Sequence, residues 1–336
     1  MRITILDDYQ DAVRKLNCFN YLEGHEVKIF NNTVKGLGQL AVRLRDTEAL
    51  VLIRERTSIS KQLLDKLPNL KIISQTGGGA SHIDLASCTE RGIPVLVGTG
   101  SPIAPAELTW ALIMAASRRI PQYAANLKQG AWQQSGLKSS NMPANFGLGR
   151  NLHGKTLGLF GYGKIAQRIA RYAQAFDMNV TVWGRSSTLE RAKQDGLNIS
   201  IDQSTFFSEC DVISLHLRLN KETQGIIKLD DLIKMSPESL LVNTSRAELL
   251  DNDALVLALN RGRPGMAAID VFETEPTLQG HPLIRMENVI ATPHLGYVEQ
   301  DSYELYFGDA FKNILDWLEQ KEVKLANPEV LSDYKK

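Results

Sequence analysis

The stretch KTLGLFGYGKIAQRIARYAQAF, Lys155–Phe176, decides how the chain is read. It opens with an apolar run, Thr156–Phe160, which ends in Gly161-Tyr162-Gly163-Lys164-Ile165-Ala166. Ile165, Ile169, Ala173 and Phe176 then recur at the spacing that lays one apolar helical face against a sheet. A strand that passes through a glycine-rich turn straight into a helix begins a βαβ unit suited to a dinucleotide. Gly161 permits the tight turn, Gly163 lets the backbone approach a pyrophosphate, and Ala166 allows close helix-to-strand packing. The N–H groups of the first helical turn, Lys164 and Ile165 among them, and the partial positive charge of the helix end suit the phosphates.

Working outward, further short apolar runs lie downstream at Val180–Trp183, Asp211–Leu215, Leu240–Asn243, Met266–Ile269 and Val289–Ala291, with helical patterns between them. Upstream lie Ile3–Leu6, Val27–Phe30, Leu50–Ile53, Leu70–Ser74 and Val95–Val97. Uncharged runs of this length, alternating with helices, are parallel strands buried on both faces. Between the two sets, a helical pattern from Ser101 carries Leu108, Leu112, Ala115 and Ala116 and extends to Ile120; its nearly uniform apolarity predicts burial between domains or subunits. Residues 129–152 look like an irregular excursion. After Gly296 the chain returns to helix, with Leu305, Phe311, Ile314, Leu315 and Leu318 as its apolar stripe up to Lys321. These elements predict an α/β protein of two doubly wound parallel-sheet domains. A Rossmann dinucleotide-binding domain, 101–296, is inserted in a flavodoxin-like substrate-binding domain made of 1–100 and 297–336, with a cleft between them that closes on its ligands.

Composition narrows the function classes. The 336 residues hold 38 Lys plus Arg against 38 Asp plus Glu, so the net charge is zero and no basic field is available for nucleic acid. With 43% hydrophobic and 23% charged residues the chain is neither disordered nor fibrous. Cys18, Cys88 and Cys210 show no C-x-x-C spacing and read as buried small hydrophobes in a reducing compartment. The N-terminus MRITILDDYQ, with Asp7 and Asp8 after its first apolar run, is unlike a signal peptide, and the apolar run Leu108–Ala116 is too short to span a bilayer. A cytoplasmic location is expected, with no membrane contact and no metal.

The strand after the glycine turn bears on the choice of dinucleotide. An acid at its end ordinarily binds the adenosine ribose. Here Val182-Trp183-Gly184-Arg185-Ser186-Ser187 puts Gly184 at that place. A carboxylate would oppose a 2′-phosphate by about 4 kcal/mol for a pair about 4 Å apart at an effective dielectric of about 20. Its absence, with Arg185 and Ser186 alongside, favours NADP(H) over NAD(H), whereas an Arg185 that stacks on adenine would carry no such preference.

Three downstream segments each set a chemically able residue just beyond an apolar strand: LLVNTSRAELLD with Arg246, AAIDVFETEP with Asp270 and Glu275, and VIATPHLGY with His294. Ligands of open parallel sheets bind at the carboxyl ends of the strands, so all three point to one site. Alone, the histidine would read as packing and the glutamate as a solvated loop acid. Together they suit reversible carbonyl reduction. Arginine holds a carboxylate bidentately and polarises the adjacent carbonyl. Histidine, with an ordinary pKa of about 6.5, exchanges the hydroxyl proton near neutrality. A carboxylate behind the imidazole orients it and raises its pKa.

Taken in order, Gly161-Tyr162-Gly163, Arg246, Asp270-Val271-Phe272-Glu273-Thr274-Glu275-Pro276 and Thr292-Pro293-His294 resemble the D-isomer-specific 2-hydroxyacid dehydrogenase family, which includes phosphoglycerate dehydrogenase and glyoxylate/hydroxypyruvate reductases. The resemblance runs from about residue 49 to 296; the first fifty residues agree in pattern only. It implies an NAD(P)-dependent interconversion of a small 2-keto acid and its D-2-hydroxy acid, with His294 as acid/base, Glu275 as its partner and Arg246 as substrate anchor. It implies Asp270 beside the nicotinamide, and Thr223, Thr244, Ser245 and Gly296 among the cofactor contacts. Arg54 and the Gly77-Gly78-Gly79 loop, through the amides of Gly78 and Gly79, are implied to meet the substrate; a nest of glycine amides suits a carboxylate. A homodimer through the nucleotide-binding domain is implied as well.

The chain departs from the family pattern at several positions. Gln75 stands where phosphoglycerate-oxidising relatives tend to have arginine, which weakens the case for a phosphorylated substrate. Arg218 replaces a common proline and adds a cation on the adenine side. Asp177 replaces a helix-capping glycine, which the tolerance of Asp for left-handed backbone permits. Ala247 follows Arg246 where glycine is frequent. The chain ends soon after Gly296, so no regulatory domain is expected beyond the motifs. A cofactor-sensing regulator of the same fold is the rival reading, and the presence of Arg246, Glu275 and His294 together weighs against it. Formate-oxidising relatives carry glutamine at the position of Glu275, which opposes that activity here.

Overall fold

The computed structural model describes residues 1–138 and 142–331, so part of the excursion 129–152 and the end of the returning segment 297–336 lie outside the described residues. The chain divides into two compact units, Met1–Ser101 with Glu299–Lys336, and Pro102–Val298.

The first unit is built on five strands: β1 (Arg2–Ile5), β2 (Glu26–Ile29), β3 (Ala49–Leu52), β4 (Ile72–Gln75) and β5 (Val95–Val97). They run parallel in the order β2-β1-β3-β4-β5, the flavodoxin-like arrangement. The three strands from β3 to β5 are buried throughout, which explains their unbroken apolar runs, while edge strand β2 is half-exposed. Helix Gln300–Leu318 packs back onto this sheet, and Glu299 caps it by accepting from the amides of Asp301 and Ser302, both at 2.7 Å. Its buried face is Tyr303, Tyr306, Phe307, Ala310, Phe311 and Ile314. The leucine stripe is corrected here, because Leu305 and Leu318 are 39% and 44% exposed. Aromatic rings displace them: Phe307 meets Tyr303 at 5.4 Å and Phe311 at 5.7 Å, and Phe311 meets Phe19 edge-on at 6.4 Å.

The second unit carries seven parallel strands: β6 (Thr156–Phe160), β7 (Asn179–Trp183), β8 (Asn198–Ile199), β9 (Val212–Leu215), β10 (Leu240–Asn243), β11 (Met266–Ile269) and β12 (Val289–Ala291). Their order, β12-β11-β10-β9-β6-β7-β8, is the Rossmann arrangement with one additional strand. The chain order reverses between β6 and β9, and the Gly161 turn sits at that switch point. The two-residue β8 has too short and polar a sequence to show a strand pattern. Helix Lys164–Ala175 buries Ala166, Ile169 and Ala173 against the sheet.

Two expectations for this unit are corrected. Phe176 lies past the helix end, 41% exposed, with its ring 5.0 Å from Trp110 rather than against the sheet. The apolar helix does not reach Ile120: it spans Ile103–Ser117, and Arg119 takes left-handed backbone (φ 58°) before a second helix, Ile120–Leu127. The Arg119 guanidinium turns inward to donate to the carbonyls of Ala116 (2.6 Å) and Phe146 (3.2 Å) and stacks 4.2 Å from the Phe146 ring. Ala104, Ala106, Thr109, Leu112, Ile113 and Ala116 form the buried face of Ile103–Ser117, while Ile103 is 44% exposed. The three cysteines are free and buried, and burial pushes each thiol up to about 12. No helix among the described residues is long and apolar enough to cross a membrane, and no cluster of three or more metal-ligating side chains occurs among them.

Candidate active site

At the Gly161 turn the two glycines do different work. Gly161 has φ +94°, its amide donates to the Trp183 carbonyl (2.8 Å), and a Cβ there would stand 2.7 Å from the carbonyl oxygen of His216. No other residue fits that backbone and that space. A Cβ on Gly163 would meet nothing within 4 Å. Gly163 is the N-cap of the 12-residue helix Lys164–Ala175, and no side chain caps the helix. The amides of Lys164 and Ile165 thus belong to an open helix terminus beside an open stretch of backbone, which fits a dinucleotide diphosphate. Ala166 is fully buried in the first turns of that helix.

At the end of β7, Gly184 adopts φ +156°, and a Cβ there would come within 3.0 Å of Thr188. Arg185 follows in extended backbone as the N-cap of helix Ser186–Gln194; Arg185 and Ser186 are both exposed, as is Arg218 beyond β9. Three hydroxyls expected at the cofactor are engaged within the protein. Thr223 Oγ1 donates to the Arg218 carbonyl (2.6 Å) and accepts from the Asn220 amide (2.9 Å). Ser245 Oγ donates to the Leu217 carbonyl (2.6 Å), and Thr244 Oγ1 pairs with Thr109 Oγ1 (2.7 Å). These side chains brace the loops after β9 and β10.

The loops after β10, β11 and β12 carry the reactive groups. His294 Nδ1 lies 2.6 Å from Glu275 Oε2, and Glu275 Oε1 accepts from the Phe272 amide (3.0 Å). Burial alone would push the Glu275 carboxyl up. The hydrogen bond and charge of His294, the Phe272 amide and the charge of Arg246 together hold it below the ordinary carboxylate range. His294 takes left-handed backbone, φ 52°, a conformation that costs free energy and that its surroundings must impose. Asp270 imposes it. Fully buried, this carboxylate accepts from Thr292 Oγ1 (2.6 Å), the Leu295 amide (2.7 Å) and the Gly296 amide (2.9 Å), so it grips the loop on both sides of His294. Burial pushes its carboxyl up, and those hydrogen bonds oppose the shift. Asp270 and Gly296 thereby place the histidine, a role that strand-end position alone does not reveal.

Arg246 is half-buried, and its Nη1 donates to the Ser245 carbonyl (2.7 Å). Asn243, buried at the end of β10, donates to the Arg246 carbonyl (2.9 Å) and accepts from the Ser245 amide (3.1 Å). Asn243 is a positioning residue that the sequence reading passed over. A polar amide closing the apolar run LLVN was its only signal.

In the first unit the loops after β3 and β4 form a second polar centre. Arg54 has φ 52°; its amide donates to Thr76 Oγ1 (2.9 Å) and its carbonyl accepts from Gln75 Nε2 (2.8 Å). Its guanidinium lies 5.7 Å from the Tyr306 ring centre, a cation–π distance. A Cβ on Gly77 (φ +85°) would fall 2.3 Å from Arg54 Nη1. The amides of Gly78 and Gly79 donate to no acceptor among the described residues. Adjacent amides beside a guanidinium make a seat for a small anion. Gln75, 1% exposed, lies beneath this loop, with its amide turned to the Arg54 carbonyl.

The parallel sheet and its glycine turn are those of a dinucleotide-binding fold. Residues 110–296 match the D-isomer specific 2-hydroxyacid dehydrogenase, NAD binding domain. A crystal structure from Ralstonia solanacearum, described as a candidate D-3-phosphoglycerate dehydrogenase oxidoreductase, superposes with a TM-score of 0.97 at 64% identity over 98% of each chain. The glyoxylate reductase of Thermococcus litoralis is 36% identical over 298 residues, 88% of each chain. The D-3-phosphoglycerate dehydrogenase of Methanocaldococcus jannaschii is 35% identical over 88% of this chain but 53% of its own, so this chain spans about half the length of that relative. The chain belongs to the D-isomer specific 2-hydroxyacid dehydrogenase family, oxidoreductases acting on CH–OH groups.

Proposed function

We propose that this protein reduces a small 2-keto acid to its D-2-hydroxy acid, reversibly, with a nicotinamide dinucleotide. The observation that carries the proposal is the 2.6 Å pairing of His294 Nδ1 with Glu275 Oε2, with Arg246 acting electrostatically on the same carboxylate. Glu275 orients the imidazole and leaves Nε2 to face the substrate. In reduction, His294 gives its Nε2 proton to the carbonyl oxygen; in oxidation it takes that proton from the hydroxyl. Arg246 pairs with the substrate carboxylate and polarises the neighbouring carbonyl. Arg54 and the amides of Gly78 and Gly79 are a second seat for the carboxylate. The bound nicotinamide supplies or accepts the hydride. The residues proposed to hold the cofactor are Gly161, Gly163, Lys164 and Ile165 at the diphosphate and Arg185, Ser186 and Arg218 at the adenosine end, with the Thr223, Thr244, Ser245, Asp270 and Gly296 loops beside them.

Gly184 in place of an acid, with exposed Arg185 and Arg218, supports NADP(H) over NAD(H). Trp132, Leu148, Leu127 and Ile120 are 73%, 69%, 55% and 52% exposed around the paired helices, which supports a homodimer through the nucleotide-binding unit. The dimer is tested by solution mass at micromolar concentration. Three buried free thiols suit a reducing compartment, and we place the protein in the cytoplasm. The test of function is kcat/KM for glyoxylate, hydroxypyruvate, pyruvate, phenylpyruvate and phosphohydroxypyruvate with NADH and with NADPH. The proposal expects turnover of at least one acid, faster with NADPH, and fails if none is reduced with either cofactor.

A further inference from the structure

The Gly77–Gly79 loop has a charge of opposite sign on each flank. Arg54 Nη1 lies against Gly77, and on the other side Glu55 Oε1 lies 3.0 Å from where a Cβ on Gly79 would stand. Ser81 Oγ donates to that same oxygen (3.4 Å), which directs the carboxylate toward the loop. Both charges reach the His82 ring: burial lowers its pKa, Glu55 opposes the shift and Arg54 adds to it. A carboxylate beside an anion seat costs affinity for every anion, and most for the most highly charged. We infer that Glu55 is a specificity-determining residue, which accepts a hydrogen bond from a hydroxyl on the carbon next to the keto group and repels a phosphate at that place. The inference rests on the loop's role as carboxylate seat proposed above.

The chemistry follows from what each group can do. An ionised carboxylate only accepts, so it favours a hydroxyl, gains nothing from a methyl, and meets a phosphate as a like charge. Gln75, a neutral amide that is buried and turned to the Arg54 carbonyl, brings no compensating charge.

The test compares kcat/KM for hydroxypyruvate, pyruvate and phosphohydroxypyruvate in the wild type, Glu55→Gln and Glu55→Asp. Glu55 is exposed, so the variants are expected to fold, which a thermal melt checks. The wild type is expected to prefer hydroxypyruvate to both others. In Glu55→Gln the ratio of phosphohydroxypyruvate to hydroxypyruvate should rise by about tenfold or more, chiefly through KM, with Glu55→Asp between the two. Turnover of hydroxypyruvate with an unchanged ratio overturns the assignment of Glu55 alone. Failure of the wild type to reduce any of the acids overturns the keto-acid reading and the inference with it.

Discussion

Two glycine loops, one in each unit, follow buried parallel strands, and we propose that they serve different anions. After β6 the chain enters a 12-residue helix at once, and the anion seat is the open terminus of that helix. After β4 the next helix, Leu85–Glu90, has only six residues and begins well past Gly79; the seat there is a pair of amides beside the guanidinium of Arg54. The difference is one of ligand size and charge. A diphosphate spreads its charge over a length that a helix end and its dipole can serve, whereas a single carboxylate needs a full positive charge close at hand. Each loop also contains one glycine that the fold requires and one that it does not.

The largest expected effect lies in the second unit. His294→Ala removes the imidazole proposed as acid/base, and kcat should fall by about 10³-fold; Glu275→Gln, which keeps the shape but loses the charge, should cost about 10²-fold. Comparable losses from Arg54→Ala in kcat rather than KM would erase the division of labour between the two units.

Within the Gly161 turn the contrast is between stability and binding. Gly161→Ala meets a carbonyl at 2.7 Å in left-handed backbone, so thermal unfolding should move down by several degrees, corresponding to about 2 kcal/mol. Gly163→Ala adds a methyl to open space and should leave the melting temperature within about 1 °C while weakening cofactor affinity about tenfold. Isothermal titration beside a melting curve separates the two.

In the first unit the expected contrast is smaller and lies in binding alone. Gly77→Ala would displace the Arg54 guanidinium and should raise the keto-acid KM by about tenfold; Gly78→Ala, whose Cβ would make ordinary contact at 3.6 Å with the Gly98 carbonyl, should raise it less. At the adenosine end, Arg185→Ala should shift the NADPH to NADH ratio of kcat/KM by about threefold to tenfold, because an exposed charge pair is screened.

The smallest effect is in the pH dependence of stability. Glu275 is held below its ordinary value, so its contribution is present above the unfolded value, about 4.3, and fades as pH falls through the lower folded value. The stability gap between wild type and Glu275→Gln, measured by denaturant titration, should therefore be widest near neutrality and close below about pH 4.

Both sheets were legible in the sequence because their strands are buried on both faces and read as short apolar runs; Thr156–Phe160, Leu240–Asn243 and Met266–Ile269 fall where their patterns place them. The helices were less legible. In Gln300–Leu318 the rings of Tyr303, Tyr306 and Phe307 take the face that leucine periodicity suggested for others, and Arg119 ends a helix that composition alone would continue. Pairing of His294 with Glu275 was legible through the family resemblance, since strand-end position alone offers Asp270, next to Ile269, as readily as Glu275. The roles of Asp270, Asn243 and Glu55 were not, since each depends on which backbone amide or loop the carboxylate or amide turns toward, and strand spacing carries no trace of that.

The most direct test of the central claim is the product itself. Wild-type protein is given a 2-keto acid and NAD(P)H, and the hydroxy acid formed is resolved by chiral chromatography against the cofactor oxidised. One D-2-hydroxy acid for each NAD(P)H consumed is the expected result, with product formation about 10³-fold slower from His294→Ala; an L product, or undiminished turnover by that variant, would contradict it.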